Sequence, residues 1–406
     1  MTYRQTLEYL YAQYPVFQRI GAAAYKPDLQ NTQALLSICG NPEKRFRSLH
    51  IAGTNGKGSV SHMLASILME AGYKVGLYTS PHLKDFRERI KINGKMISRK
   101  FVVDFTAQHK EKINRIRPSF FEVTVAMAFS YFAEKKVDVV VVETGLGGRL
   151  DSTNVILPEL SIITNISKDH TQFLGDTYEK IAFEKAGIIK AHVPVVIGET
   201  LPETKTVFEQ SASKHSAPIL FAERTKVEKK YPCELKGDYQ PKNIRTVITA
   251  VKQLQKQDWK ISESHIRKGI ARVITNTGLH GRWETISKQP RMICDIGHNE
   301  AGIREVVKQL RKEKYDQLHM VIGVVNDKDV SAMLQQLPKK ATYYFTKAKI
   351  PRALPETELM EKAADFGLHG HCFHSVKKAI QAAKENAGKK DLIFVGGSAF
   401  VVAEAL

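Results

Sequence analysis

The sequence predicts an α/β protein, with an N-terminal domain built on a mostly parallel sheet and a smaller α/β domain after it. Three observations lead there. First, short apolar runs rich in β-branched residues alternate with helical patterns: Val75 to Tyr78, Val137 to Val142, Leu160 to Ile166, Val193 to Ile197, Met292 to Asp295, Met320 to Val325, Tyr343 to Phe345 and Leu392 to Val395. Strands that read as continuous apolar runs are buried on both faces, as in parallel sheets covered by helices. Second, Leu49 to Gly72 reads as a strand, a glycine-rich loop and an amphipathic helix. Third, the chain has 406 residues, long for one core, and a fresh strand–helix alternation starts after Ser287 to Arg291. The expected domains are therefore 1–287 and 288–406.

The loop after the first strand is the most informative element. His50, Ile51 and Ala52 suit a buried strand, and Gly53, Gly56 and Gly58 let backbone N–H groups approach an anion without interference from a β-carbon. Val60, Met63, Leu64, Ile67, Leu68 and Ala71 then recur at helical spacing, with Gly72 at the expected C-cap. The loop, with Thr54 and Asn55, thus opens a helix N-terminus, where peptide dipoles favour negative charge. Lys57 adds a cation and Ser59 a hydroxyl for a metal, so a triphosphate with Mg²⁺ fits. The usual phosphate-loop spacing is not kept: its first glycine would fall at Ile51, and Gly58 separates Lys57 from Ser59.

Ligands of open parallel sheets bind beyond the carboxyl ends of the strands. Ser80 follows the second run, Glu143 ends DVVVVE, and Asp169 and His170 lie beyond LSIITNIS. Mg²⁺ prefers oxygen ligands, which favours Ser80 and Glu143 over His170. In GDTYEKIAFEKAGIIK, Asp176 reads as the N-cap of a helix, Ile181, Phe183 and Ala186 as its packing residues, and Lys185 by spacing alone as a surface charge.

Composition bounds the rest. Hydrophobic residues make up 43% and charged residues 25%, a globular balance. No apolar run approaches the roughly 18 residues of a membrane span, and no signal core follows the N-terminus, so no membrane partner and a cytoplasmic location are expected. Cys39, Cys233, Cys294 and Cys372 are far apart, which suits reduced thiols rather than disulfides or a zinc site. The net charge of +19, from 61 basic and 42 acidic residues, raises nucleic acid as a partner. The lysines are dispersed, however, with no aromatic-interleaved stripe. A solvated basic surface, or a field that draws in polyanionic small substrates, fits better, and no nucleic-acid partner is expected.

In order along the chain, IAGTNGKGS, TSPHL, ETGLGGRLDSTN, ISKDHTQFLGDTYEKIAFEKAGIIK, GRWE and DIGHN resemble the folylpolyglutamate synthase and dihydrofolate synthase family, relatives of the Mur cell-wall ligases. The resemblance runs from about Leu29 to the C-terminus. It implies a P-loop ATPase-like N-terminal domain and a Rossmann-like C-terminal domain, with the active site in the cleft between them. It implies ATP and one or two Mg²⁺, with Gly56 to Ser59 cradling phosphates and Ser80, Glu143 and His170 binding metal. Lys185 matches a family lysine that is carbamylated, which replaces the surface reading. Asn243, Arg282 and Asp295 match ATP contacts. Ser119, Phe120, Phe121 and Glu122, with Asp151, Ser152 and Thr153, match the pterin side, although core packing is an equal reading for the two phenylalanines. His298 and Ser398 match the glutamate side, where DIGHNE carries Gly297 and Glu300 in place of the usual alanine and proline.

The implied activity is ATP-dependent addition of L-glutamate to dihydropteroate, to folate glutamates or to both, through an acyl phosphate, by a bifunctional and monomeric enzyme. A Mur-type cell-wall ligase, a P-loop NTPase switch and a nucleic-acid-binding protein are the alternatives, in that order.

Overall fold

A computed structural model describes residues 1–16, 28–227, 230–326 and 330–406. By internal contacts the chain forms two compact units. Unit 1 comprises Met1–Ser167, Thr171–Glu234 and Pro241–Gly278, and unit 2 comprises Lys168–His170, Leu235–Gln240 and Leu279–Leu406.

Unit 1 holds eight strands: β1 (Arg47–Ala52), β2 (Val75–Tyr78), β3 (Ile90–Ile92), β4 (Lys95–Met96), β5 (Val139–Glu143), β6 (Leu160–Ile163), β7 (Val195–Ile197) and β8 (Ile219–Phe221). Their order across the sheet is β4-β3-β2-β5-β1-β6-β7-β8. From β2 to β8 all neighbours pair parallel, and β3 and β4 add an antiparallel edge. All five residues of β5 and all four of β6 are buried, as continuous apolar runs require. On one face Val140 and Val142 join Phe129, Phe132 and Ile113 in a core cluster. Elsewhere Ile163, Val195 and Ile197 pack with Ile181, Ile189 and Phe208.

Unit 2 carries β9 (Glu284–Lys288), β10 (Arg291–Cys294), β11 (Leu318–Ile322), β12 (Thr342–Thr346), β13 (Gly370–Phe373) and β14 (Leu392–Gly396) in the order β13-β12-β11-β14-β10-β9. Only β9 is antiparallel to its neighbour. Alternate residues face opposite cores: Ile293, Met320, Tyr343 and Phe394 on one side, and Cys294, Val321, Tyr344 and Val395 on the other. This is the period-two pattern of a sheet covered on both faces.

The α/β architecture expected from the sequence is the one observed. Short strands escaped it. β3, β4 and β8 span three residues or fewer, too few for a periodic signal, and β9 alternates half-exposed polar positions. The helix Tyr178–Ala186 begins one residue later than expected: Thr177, not Asp176, caps it, accepting from Lys180 N, while Asp176 pairs with the Lys180 ammonium at 2.9 Å. Phe183 does not pack inward, being 57% exposed. The buried face runs through Ile181, Ala182, Lys185 and Ala186, leaving position 183 on the opposite side.

Candidate active site

β1 ends at Ala52, and the chain turns through Gly53–Gly56 into the helix Lys57–Glu70. Gly56 is the N-cap, left-handed at φ 85°; no side chain caps the helix and its first turn has no acidic residue. The left-handed φ favours glycine, and a β-carbon at Gly56 would lie 2.4 Å from Asn243 Oδ1, so the Asn243 amide sits against the loop. The rest of the loop is tied to the segment after β6. Thr54 N donates to Asn165 O and Asn55 N to Asn165 Oδ1, each at 2.9 Å, and Thr164 Oγ1 donates to Asn55 O at 2.6 Å. A helix N-terminus without a side-chain cap, on a loop whose other polar groups are engaged, leaves backbone N–H groups available to an anion. Lys57 Nζ arches over the loop to Gly53 O at 3.0 Å and Thr54 O at 3.1 Å.

Oxygen donors gather at the same end of the sheet. Ser59 is buried in the first turn, Glu143 ends β5 beside Ile51 and is 5% exposed, and Ser80 follows β2 by two residues. Since β2, β5 and β1 are neighbours, these positions sit at the carboxyl ends of adjacent parallel strands. Magnesium takes one or two carboxylates and fills its shell with water, hydroxyl and phosphate oxygens, which this donor set fits. Among the described residues no three His, Cys, Asp or Glu side chains gather to hold a metal by themselves. Lys185 is 4% exposed and its Nζ donates to Gly53 O at 2.9 Å. The reading from spacing alone, a surface charge, is therefore overturned: the buried face of its helix carries the amine to the loop.

The two strips that the resemblance matched to the pterin side both lie in unit 1. Ser119 and Glu122 cap the helix Phe120–Glu134 reciprocally, Ser119 N donating to Glu122 Oε2 at 2.5 Å. Phe120 is buried and stacks on Tyr11 with ring centroids 4.9 Å apart, while Phe121 lies against Gly145. Gly145 N and Leu146 N both donate to Asp151 Oδ2 at 2.8 Å, and Asp151 Oδ1 accepts from Thr153 N and Oγ1. Ser152, between them, is half-buried. Around Phe120 the sequence reading missed a buried polar group. Arg89, 3% exposed, donates through Nε to His82 Nδ1 at 2.8 Å and lies 5.7 Å from the Phe120 ring. Because Nδ1 accepts, His82 is neutral there, and burial with the Arg89 charge holds it down to about 3. No sequence signal pointed to Arg89, because the strand it precedes, β3, is itself too short to be read from the sequence.

Unit 2 assembles a second group of candidates. His170, at φ 52°, adjoins Asp169. Asp169 Oδ2 accepts from Asn299 Nδ2 at 3.1 Å and lies 3.2 Å from His298 Nε2, while His298 Nδ1 meets Ile296 O at 2.9 Å. Asp295 is 3% exposed and accepts from Gly297 N, Trp283 N and the Tyr239 hydroxyl. Burial holds its carboxyl above the usual range against those bonds and the nearby Arg282 charge. Ser398 is buried as the N-cap of the helix Ala399–Ala405, accepting from Val401 N at 3.2 Å.

Residues 51–262 match the family model "Mur ligase middle domain", and residues 281–399 match "Mur ligase, glutamate ligase domain". The dihydrofolate synthase/folylpolyglutamate synthase of Bacillus subtilis is 33% identical over 410 residues, covering 93% of this chain and 94% of that protein. The chain belongs to the folylpolyglutamate synthase/dihydrofolate synthase family of Mur ligases. The Escherichia coli enzyme of the same name is 33% identical over 371 residues, covering 88% of this chain and 85% of that one. Among solved structures, E. coli FolC in complex with DHPP and ADP superposes with TM-score 0.89 at 29% identity, covering 100% of this chain and 97% of that chain. A bifunctional folylpolyglutamate synthase/dihydrofolate synthase with Mn, AMPPNP and L-glutamate bound superposes with TM-score 0.85 at 28% identity, again covering 100% and 97%. The family membership inferred from the motifs holds. Among the described residues no helix is long and apolar enough to cross a membrane.

One histidine of this unit 1 network gives a pH test. His50 Nε2 lies 2.9 Å from Thr153 Oγ1, and burial, aided by the Lys190 charge, lowers the imidazole from 6.5 to about 3. The folded protein keeps His50 neutral where the unfolded chain protonates it, so stability is lost as pH falls from about 6.5 toward 3. Urea midpoints at pH 7 and pH 5 should therefore differ less for His50→Gln than for the unaltered protein. An equal pH dependence in both would show that His50 contributes no such linkage.

Proposed function

We propose that the protein joins the amino group of L-glutamate to the carboxylate of dihydropteroate or of a folate glutamate, at the expense of ATP. The observation that carries this reading is the uncapped helix N-terminus after β1, in a chain whose two units match the middle and glutamate ligase domains of Mur ligases. The relatives' double name supports activity on both acceptors.

A carboxylate cannot be displaced by an amine directly, because oxide is too poor a leaving group. An acceptor carboxylate oxygen attacks the γ-phosphorus of ATP, the bond from that phosphorus to the β–γ bridging oxygen breaks, and ADP leaves with the electron pair. The neutral glutamate amine then attacks the acyl carbon, the carbon–oxygen bond to phosphate breaks, and the nitrogen gives up a proton. The N–H groups of the Lys57–Glu70 helix and the Lys57 ammonium hold the phosphates and offset the charge that shifts during transfer. Ser59, Ser80 and Glu143, with His170 a further candidate, would hold Mg²⁺, which when bound would supply Lewis-acid neutralisation of phosphoryl charge. We assign the acceptor to the strips Ser119–Glu122 and Asp151–Thr153, the nucleotide also to Asn243, Arg282 and Asp295, and glutamate to His298 and Ser398. We also assign to Lys185 the role of a carbamate that presents a carboxylate, a reading its burial beside Gly53 supports. A soluble monomer acting in the cytoplasm completes the proposal.

The deciding assay measures ADP release with ATP, Mg²⁺ and L-glutamate, with dihydropteroate or tetrahydrofolate as acceptor and mass spectrometry of the product. Turnover with both is expected; turnover with one assigns a single activity, and ADP release that ignores both acceptors rejects the proposal. Lys57→Ala should lower acceptor-dependent ADP release at least about a hundredfold with an unchanged circular dichroism spectrum, and near-normal turnover would sink the phosphate role. Lys185→Ala should lose activity that added short carboxylic acids partly restore. Full activity without them would rule out the carbamate.

A further inference from the structure

The segment Leu235–Gln240 is fastened to unit 2 by side-chain bonds that its sequence does not announce. Buried Gln309, on the helix Glu300–Leu310, accepts from Asp238 N through Oε1 at 2.7 Å and donates through Nε2 to Lys236 O at 3.0 Å. Lys312 Nζ adds a bond to Asp238 Oδ2 at 2.5 Å. Gly237 lets the Tyr239 ring fold back over the chain, since a β-carbon there would lie 2.6 Å from Tyr239 Cζ. The ring delivers its hydroxyl to Asp295 Oδ2 at 2.6 Å.

At Asp295 the two oxygens differ. Oδ2 accepts from both the Tyr239 hydroxyl and Trp283 N, the latter at 2.8 Å. Oδ1 accepts from Gly297 N at 2.8 Å. A carboxylate oxygen takes about two donors, so Oδ2 is filled by the protein and Oδ1 is the oxygen that keeps capacity for another hydroxyl or amine. Turning the carboxylate about its Cβ–Cγ bond would break three bonds at once, and the Tyr239 bond is the one made by a side chain from outside the Leu279–Leu406 part of the unit.

We propose that Tyr239 is a positioning residue for the nucleotide: by occupying Oδ2 it locks the Asp295 carboxylate so that Oδ1 is presented to ATP. The proposal rests on the assignment of Asp295 to the nucleotide. In this role Tyr239 acts through Asp295, to which its hydroxyl donates. Its hydroxyl also favours the ionised carboxylate, which burial disfavours. The other charged or titratable groups acting on this site are Arg282, Cys294 beside Asp295, and Glu284.

Tyr239→Phe removes one hydroxyl and leaves the ring. At pH 8 it should raise KM for ATP about tenfold, as expected for loss of a hydrogen bond to a charged group, with kcat within about twofold and KM for glutamate unchanged. Without the hydroxyl the carboxylate is easier to protonate, so the acid limb of kcat/KM for ATP should move to higher pH. A merely structural role would not move that limb. Gly237→Ala, which pushes the ring from its place, should reproduce the rise in KM without altering any group that touches Asp295. Asp295→Asn separates the two levels of the argument. If Asp295→Asn raises KM for ATP while Tyr239→Phe leaves both KM and the acid limb unchanged, the positioning role is wrong. If Asp295→Asn also leaves KM for ATP unchanged, the nucleotide assignment fails and the inference falls with it.

Discussion

Everything proposed for unit 1 depends on how the loop after β1 satisfies its own backbone. A polypeptide turning sharply at a buried strand end exposes N–H and C=O groups that cost about 1 to 3 kcal/mol each if left unmatched. Here Asn165, Thr164 and Ser167 take up the groups of Thr54 and Asn55, and the Lys57 and Lys185 amines share the carbonyl of Gly53. With the loop fixed by these bonds, the helix N-terminus is left without a side-chain cap. Preorganisation of this kind means that the donors need not reorganise when phosphate charge moves.

Unit 1 also buries charged side chains near this end of its sheet. Glu143, Lys185 and Arg89 are each 5% exposed or less. Buried ionic groups add little to stability and are costly unless matched, so their concentration around the carboxyl ends of β1, β2 and β5 makes sense as chemistry rather than as support. His82 shows the same economy. As a neutral acceptor it holds the Arg89 guanidinium without a second charge, which leaves that cation's field available beside Phe120 and Tyr11.

The sequence made visible the parts whose signal is local. The loop and the apolar runs of β5, β6 and β14 each lie within a few residues of one another. Resemblance supplied Lys185, whose burial no spacing argument found, because the face of a nine-residue helix is decided by what packs against it: Phe183 looked like the anchor and proved exposed. Tyr239 and Arg89 were invisible for a related reason. Their partners, Asp295 and His82, are joined to them only by the fold, and a lone tyrosine in a polar connector carries no periodic or motif signal.

Three helix N-termini that follow parallel strands show how narrowly the anion site is defined. The helix Glu300–Leu310, after β10, is capped by Asn299, whose Oδ1 accepts from Gly302 N, and has Glu300 in its first turn. The helix Ala399–Ala405, after β14, is capped by Ser398. Only the Lys57–Glu70 helix, of these three, combines a glycine N-cap with no side-chain acceptor and no acidic residue. A capped N-terminus has already spent its donors on the protein, and an acidic first turn repels a phosphate at close range. The same strand-to-helix geometry thus leaves backbone donors uncapped in one of the three places. In unit 2 the corresponding helix N-termini have their first N–H groups taken up by Asn299 and Ser398, and Asn299 also reaches Asp169 through its amide.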